Sequence, residues 1–249
     1  EKPLRALRGA AMSLEESNLI YRERRALTDG ETDAFGLFKP CAVALSMQYL
    51  AEAHAAQYGN GRRDLLKTGA VWVLARTKVR FCRLPEAGEE LEFVTWPGKL
   101  VRNLFPRYYA FDYNGESIGS AVTLWMLVDA KTHQATLPER HGVLVTGDPV
   151  LPPPFAHPVR IRERGEPLFT LRRRCQYSDL DGNGHMNNAR YLEWMCDAIN
   201  PKRTPAGFQV NYLSEIRPGE EAELLVFEGG VVVGVREDGE RAFEGILEL

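Results

Sequence analysis

Asp181, Asn183 and His185 alternate along the chain, so in an extended segment their three side chains fall on one side. They stand between Asp179 and the pair Asn187-Asn188, broken only by Leu180, Gly182, Gly184 and Met186. Short polar side chains at this density compete with the backbone for hydrogen bonds, so the segment reads as a loop. It ends in an asparagine cap, and an amphipathic helix follows over residues 189–199. Free N–H groups at a helix start favour developing negative charge. A carboxylate, an amide and an imidazole beside such a helix end are the parts of a hydrolase site. A single Asp or Asn here would read as a plain turn or cap; the trio together with the helix start favours chemistry.

Other chemistries fit less well. Asp179-x-Asp181-x-Asn183-Gly184 imitates the start of a calcium loop, but the twelfth position is Arg190, where a bidentate Glu is needed. Zinc requires clustered ligands, and His54, His133, His141, His157 and His185 are scattered. A Cys-His-Asn arrangement would use Cys175 or Cys196, both of which read as small hydrophobes among their neighbours. Glu215, next to Ile216 and Arg217, reads as a solvated charge unless the fold brings it to His185.

The elements that must position this loop occur twice. In the first half a polar strand over residues 21–27 leads into a Gly/Asp/Thr loop. A helix then runs over 41–58, apolar or small nearly all round and so expected to be buried. A polar insert with a short helical turn over 62–67 precedes strands at 71–83, 90–96, 105–113 and 117–129, with Asn114-Gly115 as a hairpin turn. The second half runs strand 169–177, polar loop, helix 189–199, then strands 207–214, 220–227, 231–236 and 241–249. Gly88-Glu89-Glu90-Leu91-Glu92-Phe93 resembles Gly219-Glu220-Glu221-Ala222-Glu223-Leu224, and Asp33-Ala34-Phe35-Gly36-Leu37 resembles Asp181-Gly182-Asn183-Gly184-His185. The chain is therefore read as a tandem duplication, with a first copy over 12–148, a linker over 149–164 and a second copy over 165–249. Five of the ten residues 149–158 are proline, which makes the linker extended and semi-rigid. Phe35 and Leu37 stand where the second copy has Asn183 and His185, so the polar set belongs to one copy only.

Bulk properties exclude whole classes. The 249 residues suffice for two domains, and the 44% hydrophobic and 26% charged content is that of a globular protein. A net charge of −3 argues against nucleic acid as a partner, and the clusters Arg22/Arg24/Arg25, Arg76/Lys78/Arg80/Arg83 and Arg172/Arg173/Arg174 read as solvated strand faces. No apolar run approaches the roughly 18 residues of a membrane helix. Four dispersed cysteines, with no secretory leader visible, lead us to expect a reduced, cytoplasmic protein. Residues 1–11, ahead of Met12, are expected to be a loose extension.

The motif Asp181-x-Asn183-x-His185-x-Asn187-Asn188-x-x-Tyr191, followed by Trp194, occurs with Thr95-Trp96 and Thr123-Leu124-Trp125 in the first half. Together they resemble the acyl-acyl carrier protein thioesterases of plants and bacteria, from about residue 21 to the end. The resemblance implies an α+β fold, a tandem double hotdog in which each antiparallel sheet wraps round one long helix. It implies hydrolysis of the thioester between a fatty acyl chain and the phosphopantetheine arm of acyl carrier protein, with no metal or cofactor. Asp181, Asn183 and His185 match the family's polar catalytic residues, and Glu215 its following carboxylate. Many plant members carry Cys after that Glu; here the position is Ile216, which favours attack by water. The acyl chain is expected in the first copy, against Met47, Leu50, Ala51, Val71, Val73 and Leu74. The acidic carrier makes basic patches candidate docking sites. An acyl-CoA thioesterase on the same fold, a non-catalytic acyl-binding protein and a homodimer stay open.

Overall fold

A computed structural model describes residues 19–249; the expectations for residues 1–11 and for a first copy beginning at 12 fall on residues outside that range. The first half contains β1 (Tyr21–Ala26), α1 (Pro40–Ala56), α2 (Arg62–Thr68), β2 (Ala70–Phe81), β3 (Glu90–Pro97), β4 (Phe105–Tyr113) and β5 (Glu116–Asp129). The second contains β6 (Phe169–Arg174), α3 (Arg190–Ile199), β7 (Gly207–Tyr212), β8 (Glu221–Phe227), β9 (Val231–Arg236) and β10 (Arg241–Glu248).

The strands make one sheet in the order β1-β3-β4-β5-β2-β7-β10-β9-β8-β6. Reading outward from the middle, β2-β5-β4-β3-β1 on one side matches β7-β10-β9-β8-β6 on the other, so both halves share one connectivity. They meet where β2 pairs antiparallel with β7, Val79 opposite Phe208. Hairpin chemistry sets the register locally: Asn114 and Gly115, both at positive φ (51° and 81°), turn β4 into β5. The fold is a double hotdog, with α1 and α3 held against the same face of the sheet. Met47 and Leu50 of α1, Trp194 and Met195 of α3, and Phe93, Phe111, Phe208 and Phe243 of the sheet share one continuous core.

Three expectations need correction. The helix over 41–58 is not buried all round: Leu45 (37% exposed) and Tyr49 (57%) form an apolar outward stripe. Its exposed face carries no run of charges, so the pattern gave no phase to read. The strand expected over 169–177 stops at Arg174, because Gln176 donates its N–H to the Asp179 carboxylate (2.8 Å) and the chain turns over Tyr177–Asp179. The strand expected over 207–214 stops at Tyr212; Leu213 and Ser214 both donate to the Ala242 carbonyl (2.8 and 3.1 Å), and this irregularity carries Glu215 off the sheet.

Residues 149–164 form no strand or helix and are pinned along the sheet face opposite the helices. Trp96 donates to the Leu151 carbonyl (2.9 Å), Tyr108 contacts His157 (3.0 Å), Arg76 donates to Pro158 (2.9 Å) and Asn211 to Val159 (3.1 Å). The segment is a strap across both halves rather than a free tether.

Candidate active site

The polar loop is a compact turn built by Asp181. Its Oδ1 accepts the N–H groups of Asn183 (2.7 Å) and His185 (3.4 Å), its own N–H donates to the His185 carbonyl (2.9 Å), and Gly184 closes the turn at φ 79°. Asp33 makes the same turn in the first half. Its Oδ1 accepts from Phe35 (2.9 Å) and Leu37 (3.5 Å), its N–H donates to the Leu37 carbonyl (2.9 Å), and Gly36 stands at φ 76°. The backbone reason for an aspartate is thus identical at 33 and 181, and only the second turn presents an amide and an imidazole.

The fold brings Glu215 to that turn. Met186 donates to the Ile216 carbonyl (3.0 Å), which lays the chain after β7 alongside the loop. Glu215 Oε1 comes to 3.5 Å from His185 Nδ1, with the two side chains 45% and 33% exposed. Asp181 has less freedom. Besides the two N–H groups on Oδ1, its Oδ2 accepts from Asn183 Nδ2 (3.1 Å). Glu215 makes no hydrogen bond among the described residues and keeps one oxygen for other work.

Asn183 is locked from the other side by Arg62 of α2, whose Nε donates to Asn183 Oδ1 (2.9 Å) while Nη2 donates to the Gly182 carbonyl (3.0 Å). A guanidinium only donates, so the amide oxygen must face Arg62 and the NH₂ must face Asp181. Glu52 of α1 in turn accepts the Arg62 N–H (2.9 and 3.1 Å). The expected asparagine cap does not form, because the N-cap of α3 is Ala189, which has no capping side chain. Asn187 Oδ1 instead accepts the Ala189 N–H (2.8 Å) in the turn ahead of the helix, and Gln48 of α1 reaches the same oxygen at 3.4 Å. The Asn188 N–H has no hydrogen-bond partner among the described residues, and Asn188 lines the adjoining cavity.

That cavity, about 710 Å³, opens between the loop and the first half. Asp181, Gly182, Asn183, Asn187 and Asn188 form one end, and Ala51, Val71, Trp72, Phe105, Arg107 and Trp125 are among the residues lining the remainder. Of the six residues expected to hold an acyl chain, the structure places Ala51 and Val71 on this wall. Met47 and Leu50 lie in the closed core. Leu74 is buried elsewhere and Val73 is 36% exposed, both just before the β2 bulge. On a helix one residue is a turn of about 100°, so Gln48, Ala51 and Ala55 face the cavity while Met47 and Leu50 face away. His185 and Glu215 stand beside the cavity's polar end rather than in its lining. Arg62, Gln48 and Arg107 carried no signal in the sequence beyond their residue types.

Burial pushes the Cys41 thiol up to about 12, Cys175 to about 11 and Cys196 to about 12, which keeps all three as thiols near neutral pH. Among the described residues no three His, Cys, Asp or Glu side chains gather as a metal site.

A double hotdog with a histidine–carboxylate approach on one copy's loop defines the class. Residues 18–138 match the acyl-ACP thioesterase N-terminal domain and residues 164–239 the acyl-ACP thioesterase C-terminal domain. The chain belongs to the acyl-ACP thioesterase family. A solved acyl-ACP thioesterase from Bacteroides thetaiotaomicron is 25% identical and superposes with a TM-score of 0.81 over 95% of this chain and 99% of that one. The 12:0-ACP thioesterase of Umbellularia californica superposes at 0.76 over 92% and 96%, with 21% identity. A chloroplastic acyl-[acyl-carrier-protein] hydrolase of Cuphea viscosissima is 24% identical over 204 residues, 75% of this chain and 49% of that protein. The chain thus spans about half the length of the curated relatives it matches.

Proposed function

We propose that this chain hydrolyses the thioester of fatty acyl-acyl carrier protein, releasing a free fatty acid and ending chain elongation. The observation that carries the reading is the approach of Glu215 to His185 at 3.5 Å, beside the polar end of a cavity of about 710 Å³.

In this mechanism Glu215, positioned by His185, takes a proton from water as the water oxygen attacks the thioester carbonyl carbon. The oxyanion is met by the free Asn188 N–H and by the second Nδ2 hydrogen of Asn183. The carbon–sulfur bond then breaks, and the pantetheine sulfur leaves as a thiolate that recovers a proton from solvent. A thiol with a pKa of about 8.5 departs without strong acid assistance, so the site needs a base and an oxyanion cradle rather than a buried acid. Asp181 builds the turn that holds Asn183 and His185 and is not the base in this scheme, because its oxygens are already engaged. The four free cysteines suit a reducing compartment, and no helix among the described residues is long and apolar enough to cross a membrane. From its free cysteines we read the protein as a cytoplasmic enzyme, and from its family we read its partner as acyl carrier protein.

The test is hydrolysis of acyl-carrier protein and acyl-CoA at equal concentration by wild type, Glu215→Ala and His185→Ala. We expect the carrier-bound substrate to be preferred and each variant to lose on the order of 10²- to 10⁴-fold in kcat. Wild-type rates in both variants would sink the mechanism.

A further inference from the structure

Arg107, on β4, lines the cavity together with His54 and Tyr58 of the α1 region and Trp125 of β5. Its Nη1 donates to His54 Nδ1 (3.0 Å) and to Thr95 Oγ1 (3.3 Å). A guanidinium cannot accept, so His54 Nδ1 is the acceptor, the imidazole is neutral, and its Nε2 proton points to the Tyr58 hydroxyl at 3.3 Å. Both partners of Arg107 are therefore uncharged, and both are fully buried (His54 and Thr95, each 0% exposed). Among the described residues no carboxylate forms an ion pair with Arg107, and the groups that act on its charge are Tyr109 and Tyr58. Burial lowers its pKa from the ordinary arginine value. Its Nε and Nη2 donors have no hydrogen-bond partner among the described residues, and the side chain lines the cavity.

A charged fork with unused donors is a poor surface for a plain hydrocarbon, in a lining that holds aromatic residues (Trp72, Phe105, Trp125) and further charged ones (Glu52, Arg62, Arg63, Asp64, Lys67). Covering it with methylene groups would strip the donors of solvent and return no acceptor. A chain oxygen would satisfy them, and a carboxylate would also balance the charge. The thioester oxygen cannot serve. Gln48, which reaches Asn187, and His54, which holds Arg107, lie six residues apart on α1, an axial rise of about 9 Å. The guanidinium therefore meets the acyl chain well away from its reacting end.

We infer that the cavity selects acyl chains carrying an acceptor oxygen, hydroxyl or carboxylate, on the part remote from the thioester, and that Arg107 binds that oxygen. The inference rests on the proposed function only in taking an acyl chain as the guest. Its consequence is a preference for oxygenated chains, unlike the palmitoyl- and dodecanoyl-acyl carrier protein substrates for which two plant relatives are named.

Binding can be read without turnover. Non-hydrolysable acyl-pantetheine amides of one chain length, bearing no oxygen, a mid-chain hydroxyl, a terminal hydroxyl or a terminal carboxylate, are titrated into the full chain by calorimetry. At least one oxygenated amide should bind about 10-fold or more tightly than the plain amide, since a site built to bond an oxygen rejects the analogue lacking it. Arg107→Leu should erase that preference, and Arg107→Lys should keep it for the carboxylate while losing it for the hydroxyls, because only the charge survives. A plain amide that binds wild type as tightly as every oxygenated one overturns the inference, as does a preference that persists in Arg107→Leu or the failure of any amide to bind. The wild-type series decides even if a variant does not fold. Absence of hydrolysis with the oxygen preference intact would instead count against the proposed function alone.

Discussion

Arg62 and Asn183 lie 121 residues apart and are joined by a 2.9 Å hydrogen bond that crosses from the first copy to the second. The same guanidinium holds the Gly182 carbonyl at 3.0 Å, and Glu52 holds the Arg62 backbone. The first copy thus contributes a clamp on the amide that we propose meets the oxyanion, supplied by a helical insert with no counterpart among the described residues of the second copy.

If that clamp positions Asn183, Arg62→Ala should lower kcat by about 10- to 100-fold with little change in KM, because a displaced amide is felt in the transition state more than in binding. Melting temperature should barely move, since the contact is exposed. Arg62→Lys can replace one bond but not the fork, so partial rescue is expected. Steady-state kinetics on all three proteins decides; an unchanged kcat in Arg62→Ala would show that the amide holds its place unaided.

The duplicated turn separates structure from chemistry at Asp33, Asp181 and Glu215. Asp33→Ala removes hydrogen bonds to Phe35 and Leu37 and one from Thr204 (2.7 Å), and should cost about 1–2 kcal/mol of stability with kcat retained. Asp181→Ala loses the equivalent turn, so it should lose similar stability and also activity. Glu215→Gln should lose activity with stability unchanged. Urea denaturation beside initial rates reads both axes, and a fully active Asp181→Ala with a collapsed Asp33→Ala would break the parallel between the turns.

Thiol chemistry gives an independent check on attack by water. With pKa values of about 11 to 12, no more than about 1 in 1,000 of the Cys41, Cys175 or Cys196 side chains is thiolate at pH 8. Cys82 is exposed. A disulfide reagent should therefore titrate one thiol quickly in the native protein and four after unfolding, and the singly modified enzyme should keep its rate. Inactivation in step with modification of Cys175 or Cys196 would return a cysteine to the mechanism.

What the sequence carried and what it hid divide along physical lines. Asn114-Gly115, the strand alternation and the paired Asp33 and Asp181 segments are local patterns, so the duplicated order of strands and helices was legible, while the double hotdog itself was implied by the family resemblance. From its own neighbours Glu215 read only as a charge, and the family resemblance alone singled it out, because its meaning depends on the Met186–Ile216 hydrogen bond that lays two distant segments together. Ala51 was separated from Met47 and Leu50 only by helical phase, which a helix without a charged face does not declare. Arg62 and Arg107 act through tertiary partners, and neither residue's sequence neighbours announce them.

The Arg25–Glu31 corner tests the first half's dependence on pH. Glu31 accepts two hydrogen bonds from Arg25 (2.9 and 2.6 Å) and two from Thr28 (3.0 and 2.8 Å), and Arg25 lies over the Phe93 ring at 4.5 Å. Burial alone would raise the Glu31 carboxyl; the hydrogen bonds from Arg25 and Thr28 outweigh it and hold the carboxyl below its ordinary 4.5. A carboxyl whose folded pKa is lowered releases its proton more readily in the native state, so its stabilisation is complete above pH 4.5 and fades as pH falls through the lower folded value. Glu31→Gln should therefore destabilise the protein by about 1 kcal/mol at pH 7, the scale of a lost cap rather than of a buried ion pair. The gap between wild type and variant should narrow steadily in urea titrations carried from pH 5 toward pH 3. A gap that stayed constant over that range would mean the ionised carboxylate contributes nothing, and that shape alone holds the corner between β1 and α1.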